Sequence, residues 1–153
     1  MIESNIGYYC GDQCFHQHYG RENIVRNNIF AFGSDCMVRR SRLEDHVSFT
    51  FEKNIVLSDG QPIHWGDSLE KGNVISDLNL VWDVTGEVTW SRQMTNEEFL
   101  ALGYERNSVV ANPGFADPQN GDFTLADDSP ALSLGFVPFD LSGAGPRAPE
   151  DRD

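Results

Sequence analysis

Two cysteines and two histidines near the start of the chain could together bind a metal ion. Cys10, Cys14, His16 and His18 fall within nine positions, and zinc accepts thiolate and imidazole ligands. Their spacing fits no common zinc pattern, so we predict no metal site here. In a strand, alternate side chains share a face, which would place His16 and His18 on the same side. The two histidines then form either a simple surface pair or a contact for a substrate.

Arginine, histidine and tryptophan recur on three short segments that we predict to be strands. The segments are 36–40, 62–65 and 87–90, and we align them on Val38, Ile63 and Val88. Tryptophan faces can stack on sugar rings, and the forked donors of arginine suit hydroxyl and carboxylate groups. The predicted substrate-binding residues are Arg39, Arg40, His64, Trp65 and Trp90. The alternative is a solvated ladder of polar residues on the outer face of a sheet.

A loop rich in ionisable groups follows the first of these segments. It contains Arg42, Glu44, Asp45 and His46. Carboxylates and imidazoles are the usual groups for general acid–base chemistry. Of all regions in the chain, residues 39–46 most resemble part of a binding groove.

The elements that would position these groups are indicated by a repeat. Asparagine followed by two apolar residues occurs at Asn28, Asn54 and Asn79, with spacings of 26 and 25 residues. A constant period in this range is typical of a solenoid. Each repeat has three short β runs and no apolar pattern of helical length, so we predict an all-β solenoid with coils of about 25 residues. Asparagines stacked in successive turns would hydrogen-bond to one another.

Stacked coils align equivalent residues into columns. The two apolar columns that follow the asparagines are Ile29, Ile55 and Leu80, and Phe30, Val56 and Val81. We predict the first of these columns to be a core stack. The position two residues before each asparagine forms a charged column of Arg26, Glu52 and Asp77. Because neighbouring strands lie about 4.8 Å apart, we expect Arg26 to pair with Glu52.

After residue 90 the repeat ends and two short helices are predicted. Thr95 and Glu98 form a capping box, and Gly103 marks the end of a helix that would pack on the side of the coils. Ser129 and Pro130 begin a one-turn helix that ends at Gly135. We expect Phe136, Pro138 and Phe139 to form a C-terminal cap over the last coil. Residues 1–143 are then one domain, and the Pro-rich, charged residues 144–153 are a disordered tail.

Composition excludes several classes of function. The 153 residues carry 24 acidic and 11 basic side chains, for a net charge of −13, which disfavours nucleic acid and anionic membrane as partners. The chain has no apolar run long enough to span a membrane and no recognisable signal peptide. It also has no Gly-rich phosphate loop and no Gly-x-Ser-x-Gly elbow, so nucleotide and esterase chemistry lack support.

Two stretches resemble a known family. Residues 22–30, Glu-Asn-Ile-Val-Arg-Asn-Asn-Ile-Phe, resemble the coils of right-handed parallel β-helix proteins of the pectate-lyase-like superfamily. Residues 112–125, followed by Ser129-Pro-Ala-Leu132, are similar to the segment that closes many of them. The resemblance spans roughly residues 15–140 and implies a right-handed parallel β-helix. The superfamily includes polysaccharide lyases, glycoside hydrolases and non-catalytic binders, so the fold does not determine the activity.

The resemblance implies a carbohydrate-active protein that acts on a polysaccharide or oligosaccharide. A glycosidase needs paired carboxylates, whereas a lyase needs a base and a group that neutralises a uronate, often calcium. The candidate catalytic residues are His16, His18, Glu44, Asp45 and His46. The set is incomplete for either scheme, so we leave open whether the chain is an enzyme. No cofactor is predicted, although calcium is possible.

Two functions from different classes therefore remain open. The first is the C-terminal part of a secreted polysaccharide lyase or glycoside hydrolase, which contributes to a sugar-binding groove. The second is a non-catalytic β-helix module for carbohydrate binding or scaffolding, able to self-associate through an exposed N-terminal coil. Because proteins of the resembled family are usually exported, we expect an extracellular or periplasmic parent protein and regard this chain as a fragment of a longer solenoid.

Overall fold

The structure is a computed structural model, and it describes residues 1–66 and 69–141. The strands are β1 (Ile2–Glu3), β2 (Ile6–Tyr8), β3 (Gln13–Gln17), β4 (Asn23–Arg26), β5 (Ile29–Ala31), β6 (Cys36–Arg40), β7 (Phe49–Glu52), β8 (Ile55–Ser58), β9 (His64–Gly66), β10 (Val74–Asp77), β11 (Leu80–Asp83), β12 (Val109–Val110), β13 (Phe115–Asp117) and β14 (Asp122–Leu125). The helices are α1 (Asn96–Ala101) and α2 (Pro130–Ser133), with single 3₁₀ turns at Leu69–Lys71 and Pro118–Asn120. The predicted tail of residues 144–153 lies outside the described residues.

Strands β1 to β12 form three parallel sheets that wind as one solenoid, and β13 and β14 form a separate antiparallel pair. Sheet A has the order β1-β4-β7-β10, sheet B the order β12-β11-β8-β5-β2, and sheet C the order β3-β6-β9. Val25 pairs with Phe51 in sheet A and Ile29 with Ile55 in sheet B, so each coil stacks on the coil one repeat later. The predicted all-β solenoid with coils of about 25 residues is therefore confirmed.

An asparagine ladder runs along the corner between sheets A and B. The backbone and side-chain amides of Asn28 both donate to Oδ1 of Asn54 at 3.0 Å. Asn54 donates in the same way to Asn79, at 3.0 and 3.2 Å. The ladder extends one coil earlier than the repeat indicated, because Asn5 donates to Asn28 at 3.0 Å. In the last coil Ser108 takes the asparagine position and accepts from the Asn79 amide at 2.8 Å.

The corner that carries the ladder requires left-handed backbone conformations. The residues before the four asparagines, Ser4, Asn27, Lys53 and Leu78, have φ values of 56°, 54°, 54° and 59°. Left-handed conformations cost side-chain-bearing residues about 1–2 kcal/mol each. The ladder hydrogen bonds offset this strain, which explains how even a leucine is tolerated there.

Sheet B lies between two apolar clusters rather than over one core. Phe30, Val56 and Val81 point into the solenoid interior. Ile29, Ile55 and Leu80 point outward and pack against the C-terminal segment, including Ala131 and Phe136. The Ile29 column is buried as predicted, but it belongs to the cluster outside the solenoid, and the Phe30 column lies in the interior.

The two C-terminal elements have exchanged their predicted positions. Phe136 and Phe139 pack on the outer face of sheet B, not over the last coil. The last coil is closed instead by α1, whose Phe99 is buried in the interior cluster. The Phe99 ring lies 6.0 Å from Trp90 and 5.0 Å from Tyr104, centroid to centroid. Helix α1 therefore closes the end of the solenoid interior.

The charged column of sheet A also differs from its prediction. Arg26 and Glu52 are neighbours in register, but Arg26 Nε lies 3.0 Å from Glu3 Oε2 in the preceding coil. The ion-pair partner of Arg26 is therefore Glu3 in the preceding coil and not Glu52 in the following one. Both side chains are well exposed, so the pair contributes little to stability.

Self-association through the N-terminal coil stays a prediction.

Replacing Thr95 with alanine should destabilise the protein by about 1 kcal/mol, because the predicted capping box is present. The Thr95 hydroxyl accepts from the Glu98 amide at 3.2 Å, and Glu98 Oε2 accepts from the Thr95 amide at 2.8 Å. Urea unfolding measures the loss, with Thr85→Ser as a control that retains a hydroxyl at another turn. An unchanged unfolding midpoint for Thr95→Ala would show that the cap does not contribute to stability.

Candidate functional site

The outer face of sheet C carries a single column of basic and aromatic side chains. His16 pairs with Arg39 across β3 and β6, and Arg39 pairs with Trp65 across β6 and β9. A bridge between His64 and Ser91 then places Arg92 beside Trp65. Because side chains alternate across a strand, His16, Arg39, Trp65 and Arg92 all lie on the solvent side.

The register of this sheet differs by one residue from the alignment made on the sequence. His64, not Ile63, pairs with Val38. The amides of Met37 and Val38 both donate to the Ile63 carbonyl, at 3.2 and 2.8 Å. Ile63 therefore faces two residues of the neighbouring strand β6. This irregularity has the character of a β-bulge and buries both Ile63 and His64. An alignment on apolar residues could not detect it.

Three of the predicted substrate-binding residues are consequently buried. Arg40 is 2% exposed and donates to the Gly72 carbonyl at 2.8 Å. His64 is 3% exposed and Trp90 is 6% exposed, and both belong to the closed end of the solenoid. Predicting these three side chains on a ligand-facing surface was therefore wrong. Arg39 and Trp65 remain on the outer face.

Trp65 is held between two arginines. The Arg39 guanidinium carbon lies 4.0 Å from the indole centroid and that of Arg92 lies 4.5 Å from it. Arg39 lies on the strand before Trp65 and Arg92 on the turn of the following coil, so the two guanidinium groups approach the indole from opposite sides. Arg92 is held in turn by Asp35, at 2.5 Å to the carboxylate. A sugar ring cannot stack on Trp65 in this arrangement, and the indole instead orients the guanidinium groups.

A shallow depression of about 420 Å³ lies at the upstream end of this column. Its lining residues are His16, His18, Arg39, Ser41 and Arg42. His16 Nε2 is hydrogen-bonded to the Ser41 hydroxyl, and Arg42 Nε donates to His18 Nε2 at 3.2 Å.

His16 is a neutral imidazole near neutral pH. Partial burial, the neighbouring Arg39 charge and His18 together lower the pKa of His16 below its usual 6.5. A neutral imidazole can accept a proton and can accept a hydrogen bond. The depression therefore combines two guanidinium groups with a neutral imidazole.

The predicted carboxylates lie elsewhere. Glu44 Oε2 accepts from the Gly20 amide at 3.1 Å and lies 3.5 Å from His46 Nε2, at the turn that follows β3. Asp45 is exposed beside them. None of these three residues lines the depression. The structure thus brings His16 and His18 together with Arg39 but does not bring Glu44, Asp45 or His46 to them.

The sequence patterns did not predict a buried polar cluster at the closed end of the solenoid. Glu105 accepts from Asn79 Nδ2 at 3.0 Å and contacts His64 Nε2 at 3.2 Å. The hydroxyls of Ser76 and Ser108 also donate to its carboxylate. Glu105 is 5% exposed, so the cluster is closed to substrate and ends the asparagine ladder. Glu105 follows the last copy of the repeat and forms no motif with its neighbours, which left no signal to identify it.

Burial is the largest influence on the Glu105 carboxyl and opposes its ionisation. The hydrogen bond and charge of His64, with the bonds from Ser108 and Ser76, outweigh it and lower the pKa of Glu105. The carboxylate is therefore ionised inside the protein. This interaction is structural because Glu105, His64, Ser76 and Asn79 are all buried.

The three cysteines are free thiols. Burial raises the pKa of Cys14 and raises that of Cys36 to about 12. Since the thiolate is the reactive form, neither of these thiols is activated as a nucleophile. Among residues 1–66 and 69–141, no group of three or more His, Cys, Asp or Glu side chains is arranged to hold a metal ion.

Comparison of the chain with protein-family models, with curated proteins and with solved structures found no match. The function is therefore argued from the site itself. None of the described helices is long and apolar enough to cross a membrane.

Proposed function

We propose that this chain is a carbohydrate-binding module of the β-solenoid type that binds an acidic saccharide on the outer face of sheet C. The observation that carries the proposal is the depression formed by Arg39, Arg42, His16 and His18. These residues form a basic patch in a chain whose net charge is −13. No carboxylate lines it among the described residues. A local excess of donors is what an anionic ligand requires in such a chain.

The orientation of the arginines supports an anionic ligand over a neutral one. Arg39 stacks on Trp65 and donates to Gln13 Oε1 at 3.3 Å, so its guanidinium is held before any ligand arrives. Held guanidinium groups bind carboxylate or sulfate with two parallel hydrogen bonds. Prior ordering also reduces the entropy lost on binding. A neutral glycan would depend on aromatic stacking, and both faces of Trp65 are already occupied.

The proposal agrees with the resemblance to pectate-lyase-like β-helices and restricts the expected ligand to acidic saccharides. We expect this binding surface to serve an exported carbohydrate-active protein. The alternative within the same class is a scaffold that makes no saccharide contact. Measured binding distinguishes the two.

We expect the chain to bind polygalacturonate or alginate and not a neutral glucan at the same ionic strength. Replacing Arg42 with glutamine should weaken the affinity by about tenfold, because a charge-assisted hydrogen bond is lost. Arg21→Gln is the matched control, since Arg21 is an exposed arginine elsewhere on the surface. Isothermal titration calorimetry measures each affinity. Equal binding of acidic and neutral glycans, or an equal effect of the two substitutions, would contradict the proposal.

A second candidate, a polysaccharide lyase, is favoured by the low pKa of His16 beside Arg39. In that reaction, His16 would remove the proton on the carbon next to a uronate carboxylate while Arg39 neutralises that carboxylate. The electron pair of the broken C–H bond forms a carbon–carbon double bond, and the glycosidic oxygen leaves and takes a proton from the solvent. A hydrolase needs two carboxylates at the bond. No carboxylate from the described residues lines the depression.

The lyase candidate predicts an increase in ultraviolet absorbance from the unsaturated product when the chain is incubated with an acidic polysaccharide. The rate should rise as pH increases through the lowered pKa of His16, because only the unprotonated ring accepts the proton. His16→Gln should abolish the signal, whereas His46→Gln, outside the depression, should not. Binding without any unsaturated product would leave the module as the function.

A further inference from the structure

We propose that a second site, on the outer face of sheet B, binds a small organic cation. The C-terminal segment packs over this face but leaves a cavity of about 460 Å³. Residues of sheet B, including Ile6 and Ile29, form its floor, and residues 121–125 and 138–141 form its walls. A cavity of this size is typical of sites for small molecules. It lies on a different sheet from the basic depression, so it does not depend on the saccharide proposal.

Aromatic rings surround the cavity. Phe115 and Phe123 meet edge to face, with centroids 5.3 Å apart and planes at 89°. Phe136 and Phe139 form a second pair with centroids 6.0 Å apart. All four residues line the cavity. Rings that enclose a space from several sides attract a cation through their negative faces, which is how proteins bind quaternary ammonium groups.

The charged group at the cavity also favours a cationic ligand. Asp122 lies at its wall and accepts from the Thr124 amide at 3.0 Å. The hydrogen bonds from the Thr124 hydroxyl and amide lower the pKa of Asp122, so its charge persists under mildly acidic conditions. No lysine or arginine is among the described residues that line the cavity. Both the rings and the carboxylate therefore favour a ligand with an apolar body and one positive charge.

The test titrates the full chain with three probes of similar shape: benzyltrimethylammonium, benzyl alcohol and benzoate. Aromatic and methyl resonances report where each probe binds. We expect saturable shifts at Phe115, Phe123 and Phe139, with the order of affinity cation, then neutral, then anion. The preference for the cation over the neutral probe should be up to about tenfold.

Two substitutions test the origin of this preference. Asp122→Asn keeps the oxygen that accepts from Thr124 and should weaken only the binding of the cationic probe. Asp127→Asn, at an exposed aspartate outside the cavity, should change nothing. Phe139→Leu keeps an apolar side chain but removes a ring, and it should also weaken the cation more than the alcohol.

Three results would overturn the proposal. Equal affinity for the three probes would mean that the cavity has no preference for charge. Shifts confined to residues away from the cavity would place the binding elsewhere. The absence of shifts with every probe would mean that the cavity is not open to ligands in solution.

Discussion

Replacing Glu105 with alanine should destabilise the protein by about 3–5 kcal/mol, because its partners would lose a buried charged acceptor. His64, Ser76, Ser108 and Asn79 all contact the Glu105 carboxylate. His64, Ser76 and Asn79 are themselves buried and cannot turn to water. Removing one acceptor therefore leaves several donors without a partner at the closed end of the solenoid.

Glu105→Gln separates the charge from the shape of this side chain. Glutamine has nearly the same volume but carries one acceptor oxygen and adds a donor that would meet the donors already present. We expect a loss of about 2–3 kcal/mol, smaller than the loss for alanine. Urea unfolding measures both variants, and Glu87→Ala at an exposed glutamate serves as the control. A loss for Glu105→Ala no larger than that of the control would show that the cluster does not hold the end of the solenoid.

The same residue predicts how stability changes with pH. The pKa of Glu105 is lower in the folded protein than its ordinary value of 4.5. The unfolded chain therefore binds the proton more readily than the folded protein. The stability that Glu105 contributes is complete above pH 4.5 and is lost as the pH falls through the lower folded value. Glu105→Gln should lack this part of the acid-induced loss, which unfolding midpoints measured from pH 7 down to pH 3 would reveal.

Much of the solenoid could be predicted because its signal is local and repeated. Asn28, Asn54 and Asn79 mark one corner, and β4, β7 and β10 each end two residues before one of them. Asn5 belongs to the same column and carries the same Asn-Ile pair, 23 residues before Asn28. The shorter spacing of that coil concealed it. The left-handed residue before each asparagine was not predictable, because Leu78 and Lys53 are unusual there.

The site was less predictable because it depends on register. A one-residue shift in a strand moves every side chain to the opposite face. The irregularity at Ile63 produced that shift, so Trp65 lies beside Arg39 and not beside Arg40. The pairing of His16 with Arg39, by contrast, follows from two regular strands. The apolar columns also did not predict which face of sheet B points into the solenoid. A buried outer face and a buried inner face have the same apolar composition.

Replacing Asn54 with alanine should destabilise the protein by about 2–4 kcal/mol, because its side chain makes four hydrogen bonds in the middle of the ladder. Its amide donates to the Val25 carbonyl at 3.0 Å and to Asn79 at 3.2 Å. Its oxygen accepts both the backbone and side-chain amides of Asn28 at 3.0 Å. Asn54 is 1% exposed, so water cannot replace the lost partners.

Position in the ladder and chemical identity provide two further tests of this account. Asn5→Ala, at the exposed end, removes fewer bonds and should cost about 1 kcal/mol or less. Asn54→Asp keeps the size and the acceptor oxygens but loses both donors and buries a charge, so at neutral pH it should destabilise at least as much as alanine. Urea unfolding of the three variants distinguishes hydrogen bonding from packing. If Asn54→Asp were harmless, or if Asn5→Ala cost as much as Asn54→Ala, shape and not the chain of amides would be what aligns the coils.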